Sequence, residues 1–294
     1  MRRFSRARSV VAATVSALVL SVGGVGAGLG VGLAPASADV AAPVDSTDPN
    51  YVWRTDIVSK ALAGKPTADR VLHRVPGSLH DAPRIPLEAE QARKRGNALY
   101  GPGTPLYVGN TVGSEFMCTT TVAGYNNRGQ KVAITAGHCG NVGDDVKSAD
   151  APQLGVTGKI TQVDKARDFA VITLARNSEV TRSYDGTTAN HVGGAPLRRG
   201  AMVCKKGVAS GNTCAPTIQD WGEHNINHVC AMQGDSGAPL MVGDRVIAMV
   251  NGGTWHPPFD IACHSPLQGP IHAPTASLRM DTVLPLVHGG FRLP

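Results

Sequence analysis

The sequence predicts an all-β protein with one helix near its C-terminus, on three observations. From Thr104 onward, apolar runs of four to six residues recur between clusters of Gly, Asn and Asp. Helical periodicity is scarce over the same stretch. The 35 Gly and 20 Pro among 294 residues supply the punctuation that many tight turns require. No alternation of strand and helix marks a parallel sheet. A hydrophobic content of 42% excludes disorder of the whole chain, and a charged fraction of only 17% with scattered prolines excludes a long coiled coil.

The clearest strands are Lys131–Thr135, Phe169–Leu174, Ala201–Cys204 and Arg245–Val250, with turn signals at Asn126–Gly129 and Gly243–Asp244. The helix is expected over Thr275–Val287, where Leu278, Val283, Leu284 and Val287 are apolar and Pro285 limits regularity. Before this domain, assigned to residues 104–294, lie two segments of different texture.

Residues 1–38 read as a secretory signal peptide. Arg2, Arg3, Arg6 and Arg8 precede an apolar stretch, Val10–Leu33, and Ala36-Ser37-Ala38 offers a small-residue cleavage site. An uncleaved membrane anchor is the alternative, and the glycines and the Ala-Ser-Ala exit favour cleavage. No later segment is apolar enough to span a bilayer. Removing those four arginines from the 28 basic residues leaves 24 against 22 acidic ones, so the formal charge of +6 belongs largely to the leader. No basic stripe remains to grip nucleic acid.

Residues 39–103 are rich in Pro, Ala, Asp and Arg, lack Cys, and end in a helix-forming stretch, Leu87–Arg95. They read as a propeptide or a loosely attached extension. The run Arg93-Lys94-Arg95 is open to two readings, a processing point or solvated surface.

Export makes disulfides the first reading of the six cysteines, Cys118, Cys139, Cys204, Cys214, Cys230 and Cys263. Six thiols allow 15 pairings, among which spacing does not choose. His224 and His228 have a zinc-like spacing, but no matching Cys pair accompanies them, so no metal is expected.

Three segments carry chemistry. Thr135-Ala-Gly-His138-Cys139 ends a strand in a histidine, Arg167-Asp168-Phe169 begins one with an acid, and Gly234-Asp235-Ser236-Gly237-Ala238 sets a serine in a glycine-flanked loop. A serine hydroxyl is a weak nucleophile near neutral pH, so a base must take its proton during attack. Imidazole titrates in the right range to accept that proton and return it to a leaving group.

In order and motif these segments resemble the chymotrypsin-type serine proteases, and their compact separations resemble the bacterial, streptogrisin-like branch. The resemblance covers roughly Thr104 to the C-terminus. It implies two antiparallel six-stranded β-barrels, about 104–190 and 191–294, with the site in the cleft between them. His138 would be general base and acid, Asp168 would orient it, and Ser236 would form an acyl-enzyme. The N–H groups of Gly234 and Ser236 would form the oxyanion hole. Asp235 would hold the loop through a buried polar contact.

The same resemblance implies the pairs Cys118–Cys139, Cys204–Cys214 and Cys230–Cys263. It places substrate contacts at Gln233, Asn251, Gly252 and Gly253, and pocket walls at Ala231–Gln233, Val250–Gly253 and near Gly269 and Pro270. Asn251 stands where the family usually has Ser, and Ala238 where it has a second Gly. The pocket-floor stretch His228-Val-Cys230 holds no aspartate, which argues against cleavage after Lys or Arg. Val250 replaces the histidine of glutamate-specific relatives. Cleavage after an apolar or small residue is the remaining expectation. The insert Thr254–Ala262 either covers a pocket rim or packs onto the barrel.

The reading is thus a secreted, monomeric serine endopeptidase acting on proteins or peptides, extracellular or associated with the cell wall, without metal or organic cofactor. Two rivals stay open: a serine esterase, and a protease-fold binding or regulatory protein at the cell surface.

Overall fold

Residues 104–294 form two largely antiparallel sheets of strands that alternate in burial in some places (Met202–Gly207, Gly211–Trp221) and are buried almost throughout in others (Lys131–Ala136, Phe169–Leu174). The computed structural model describes residues 52–62, 66–69, 71–73, 85–110, 115–255, 259–264 and 268–294. The expected signal peptide lies outside the described residues.

Ahead of the sheets, β1 (Val52–Arg54) pairs with β2 (Val71–His73), and α1 (Ile57–Leu62) lies between them in sequence. Helix α2 (Leu87–Lys94) and strand β3 (Ala98–Tyr100) follow. Ala89 and Ala92 of α2 are buried with Ile85, Leu99, Ala149 and Tyr184. Strand β3 runs parallel to β11 (Ser178–Val180), and the fully buried Tyr100 shares a 2.6 Å hydrogen bond with Thr157. Residues 85–103 are therefore held to the first half by side-chain burial, and β3 by its backbone pairing with β11.

The first sheet contains β4 (Pro105–Val108), β5 (Phe116–Thr119), β6 (Val122–Tyr125), β7 (Lys131–Ala136), β8 (Asp145–Ser148), β9 (Val156–Asp164) and β10 (Phe169–Leu174). Their order is β5-β4-β8-β9-β10-β7-β6. The edge strands β5 and β6 are two halves of one segment, bent at Thr120 and Thr121, so chain continuity joins the open edges of the ladder. With that segment counted as one strand, this is a six-stranded half-open barrel. Leu106, Val108, Val146, Ile160 and Ile172 fill it.

A small hairpin, β12 (Ser183–Tyr184) with β13 (Thr187–Thr188), and strand β14 (His191–Val192) lead to the second sheet. This holds β15 (Met202–Gly207), β16 (Gly211–Trp221), β17 (His224–Asn227), β18 (Pro239–Val242), β19 (Arg245–Gly253) and β20 (Thr275–Arg279). Pairing of β19 with β20 closes these six into a barrel, and β14 adds to the start of β19. Val203, Val229, Leu240 and Ile247 are buried together in this half. A further cluster takes Ile134, Phe169 and Val171 from the first sheet, Met249 and Leu278 from the second, and Met280 just after it, so apolar burial joins the halves.

The C-terminal helix is shorter than expected. Thr275–Arg279 is strand β20, and the helix α3 spans Met280–Val283 before a 3₁₀ turn at Leu284–Leu286. Thr275, Ser277 and Leu278 are buried by pairing with β17 and β19, and this tertiary pairing overrides the local helical pattern.

Candidate active site

His138 follows β7 in a 3₁₀ turn, Gly137–Cys139, which a disulfide from Cys139 to Cys118 on β5 pins in place. Asp168 ends the turn before β10 with φ 62°, a left-handed conformation rare for a residue with a side chain. That backbone aims its carboxylate back at the histidine turn. The carboxylate accepts the backbone N–H of His138 at 2.6 Å, and its other oxygen lies 2.8 Å from Nδ1. On the far side of the ring, Nε2 is 2.7 Å from the Ser236 hydroxyl. A carboxylate accepts only, so Nδ1 carries the proton and the Nε2 lone pair faces the serine. The structure thus brings the three side chains into one relay, and that arrangement can draw a proton from Ser236.

Burial raises the affinity of the Asp168 carboxyl for a proton, but donors outweigh it. Hydrogen bonds from His138 and Asn251, the charge of His138 and the His138 backbone N–H together hold it below the usual carboxylate value. The Asn251 side chain donates to the Asp168 carboxylate at 2.9 Å and to its backbone carbonyl at 2.8 Å. Its own oxygen accepts the Leu278 N–H at 2.8 Å. Asn251 is therefore turned toward the acid, although the residue also borders a cavity beside Ser236.

The serine loop is clamped between the barrels. Thr119 donates its N–H to the Ser236 carbonyl at 2.8 Å and its hydroxyl to that of Gly234 at 2.8 Å, and the Thr121 hydroxyl donates to Gly237 at 2.7 Å. Gly237 has φ 87°, and a Cβ there would stand 2.1 Å from the Thr119 carbonyl oxygen, so no larger residue fits. Ala238 is fully buried with its methyl accommodated. Among the described residues, the N–H groups of Gly234 and Ser236 have no protein acceptor, which leaves both available as donors.

Beneath the loop, the fully buried Asp235 accepts the N–H groups of Ala209 (2.8 Å), Ser210 (3.2 Å) and Met232 (3.1 Å) and the Ser210 hydroxyl. Lys205, also buried, reaches it at 3.2 Å. Burial pulls the Lys205 ammonium below its ordinary pKa, against the attraction of Asp235. The sequence reading missed Lys205. A signal existed: adjacent Lys205 and Lys206 on one strand must face opposite sides, so one of them enters the core.

Beside Ser236 lies a cavity of about 350 Å³, bordered by Ala231–Gln233, Val250–Gly253 and, from the insert, Trp255 and Asp260–Ala262. Gln233, Asn251, Gly252 and Gly253 thus gather at its mouth. Gly269 and Pro270 do not line it. They border a second cavity of about 490 Å³ with His228 and His272, whose rings meet edge to face at 4.8 Å. Trp255 and Asp260–Ala262 of the insert stand in the first lining, where the resemblance had placed Gly269 and Pro270. His228 is held below its ordinary pKa by burial and then by His272. Cys230–Cys263 and the cross-strand Cys204–Cys214 complete the disulfides. Among the described residues no cluster of three or more His, Cys, Asp or Glu side chains is placed to hold a metal, and no helix is long and apolar enough to cross a membrane.

The fold is that of the chymotrypsin-like serine proteases. Protease A of Thermobifida fusca superposes with a TM-score of 0.52 at 22% identity, covering 67% of this chain and all of that one. A serine protease described as specific for glutamic acid, with a histidine triad in substrate binding, gives a TM-score of 0.50 at 17% identity over 66% of this chain and 100% of that one. The Nocardiopsis protease is 23% identical, with a TM-score of 0.49 over 65% of this chain and 97% of its own. The architecture is thus shared with bacterial serine proteases. No protein-family model matches the chain, and a search of curated proteins finds no match.

Proposed function

We propose that the protein is a secreted serine endopeptidase. The observation that carries this reading is the continuous relay from Asp168 through His138 to Ser236. The Ser236 oxygen attacks the carbonyl carbon of a peptide bond while its proton passes to His138 Nε2, and Asp168 stabilises the imidazolium. The oxyanion takes hydrogen bonds from the N–H groups of Gly234 and Ser236. Collapse breaks the C–N bond, and the proton leaves with the amine. Water, deprotonated by His138, then hydrolyses the ester and restores the serine.

Export rests on the leader and on three disulfides in the folded chain. Residues 85–103 remain with the enzyme, because their removal would strip Ala89, Ala92, Leu99 and Tyr100 from buried positions. Any removable segment therefore ends before Ile85, and Arg93–Arg95 is surface, with Arg95 paired to Glu179 at 2.6 Å.

The test is turnover of a mixed peptide library by the secreted protein and by Ser236→Ala. Cleavage by the first and not the second supports the reading. Ester hydrolysis without any peptide cleavage, or equal cleavage by both proteins, overturns it.

A further inference from the structure

The cavity beside Ser236 holds a charge that the stretch His228–Cys230 lacks. No aspartate occurs in His228–Cys230, and His228 faces the second cavity. The insert supplies one instead: among the described residues, Asp260 is the sole Asp, Glu, Lys, Arg or His lining the first cavity. It has no ion-pair or hydrogen-bond partner among the described residues. Asp164, Glu179, Asp185, Asp235 and Asp281, by contrast, all meet a Lys or Arg.

We propose, resting on the endopeptidase reading, that this cavity is a cation-accepting specificity pocket. In it Asp260 and Trp255 receive the Lys or Arg side chain that precedes the cut bond. Three features of the lining fit that occupant. Met232, Val250 and Ala273 offer apolar wall to the methylene stem of a long basic side chain. The half-exposed Trp255 borders the same space, and an indole face attracts a cation within about 6 Å. Asp260, an exposed residue of the lining, offers the charge itself, and a charge-assisted hydrogen bond is stronger than a neutral one.

The competing occupants fare worse. A Phe or Leu side chain would give the exposed Asp260 carboxylate no partner and so gain nothing from the charge. A Glu side chain would meet the like charge of Asp260, with no Lys, Arg or His among the described lining residues to offset it. A small side chain would leave most of the roughly 350 Å³ unfilled.

Peptidyl phosphonates that bond covalently to a serine hydroxyl, differing only in a Lys, Phe or Glu side chain at the position before the cut bond, test this on the secreted protein. The rate of labelling is the readout, with a simple fluorophosphonate as reference. The Lys probe is expected to react at least about tenfold faster than the Phe probe. Asp260→Asn is expected to erase that ratio, Asp260→Glu to keep it, and Asp260→Lys to favour the Glu probe. A Phe or Glu preference in the native protein, or a ratio unmoved by Asp260→Asn, overturns the inference while fluorophosphonate labelling keeps the endopeptidase reading. Absence of labelling by every probe overturns both.

Discussion

Replacing Lys205 with methionine removes a buried cation from beneath the serine loop and leaves Asp235 with less to balance its charge. Breaking a buried ion pair from one side typically destabilises by about 3–5 kcal/mol. Here Asp235 keeps the N–H groups of Ala209, Ser210 and Met232 and the Ser210 hydroxyl, which places the expected loss near the lower end, about 3 kcal/mol. In a domain of this size that corresponds to a fall in Tm of about 6–12 °C. Because Asp235 lies between Gly234 and Ser236, the proposed oxyanion donors, kcat is expected to fall more than KM rises. The assay is thermal unfolding at pH 7 with peptide turnover, on Lys205→Met, Asp235→Asn and the double variant. The double variant is expected to lose less than the two single losses summed, since neutralising both partners removes the orphaned charge. A Lys205→Met protein within about 1 kcal/mol of the native one, or strictly additive losses, would refute the claim that this pair holds the loop.

Asn251→Ala removes two donors from Asp168 and should lower kcat about 10- to 100-fold, the worth of hydrogen bonds to a charged group, with KM little changed; Asn251→Ser, retaining one donor, should recover part of it. Acid unfolding should proceed in two windows. The His228 pKa is lowered on folding from 6.5, so its contribution is present above that pH and is lost as pH falls through the lower folded value. The Asp168 pKa is lowered from 3.8, so its contribution is lost only as pH falls below that. His228→Phe should remove the first window in a pH series of denaturation midpoints. Mass spectrometry of the secreted protein should find an N-terminus at or before Ile85, and a start at Gly96 would contradict the packing of α2 and β3.

The triad was legible because each member adjoins a strong apolar strand, so its placement follows from local sequence: His138 after β7, Asp168 before β10, Ser236 before β18. The left-handed turn at Asp168 was not legible, since nothing in Arg167-Asp168-Phe169 announces positive φ. The contact of Lys205 with Asp235, the contact of Asn251 with Asp168 and the place of Asp260 in the cavity lining escaped for a common reason. Each depends on a partner or cavity far off in sequence, such as Asp168, which is 83 residues from Asn251. Thr275–Arg279 was misread for a related cause: its apolar spacing suits a helix, and only the partners β17 and β19 make it a strand. The burial of residues 85–103 was hidden by their charge, because α2 turns its alanines inward and its Glu, Arg and Lys outward.

The most direct test of the central claim is the site of covalent capture. The secreted protein is treated with a fluorophosphonate, digested, and the adduct located by mass spectrometry. A single adduct on Ser236, lost in His138→Ala protein that still unfolds cooperatively, is the predicted result. An adduct on another residue, or undiminished labelling of Ser236 without the imidazole, would contradict the relay on which the proposed activity depends.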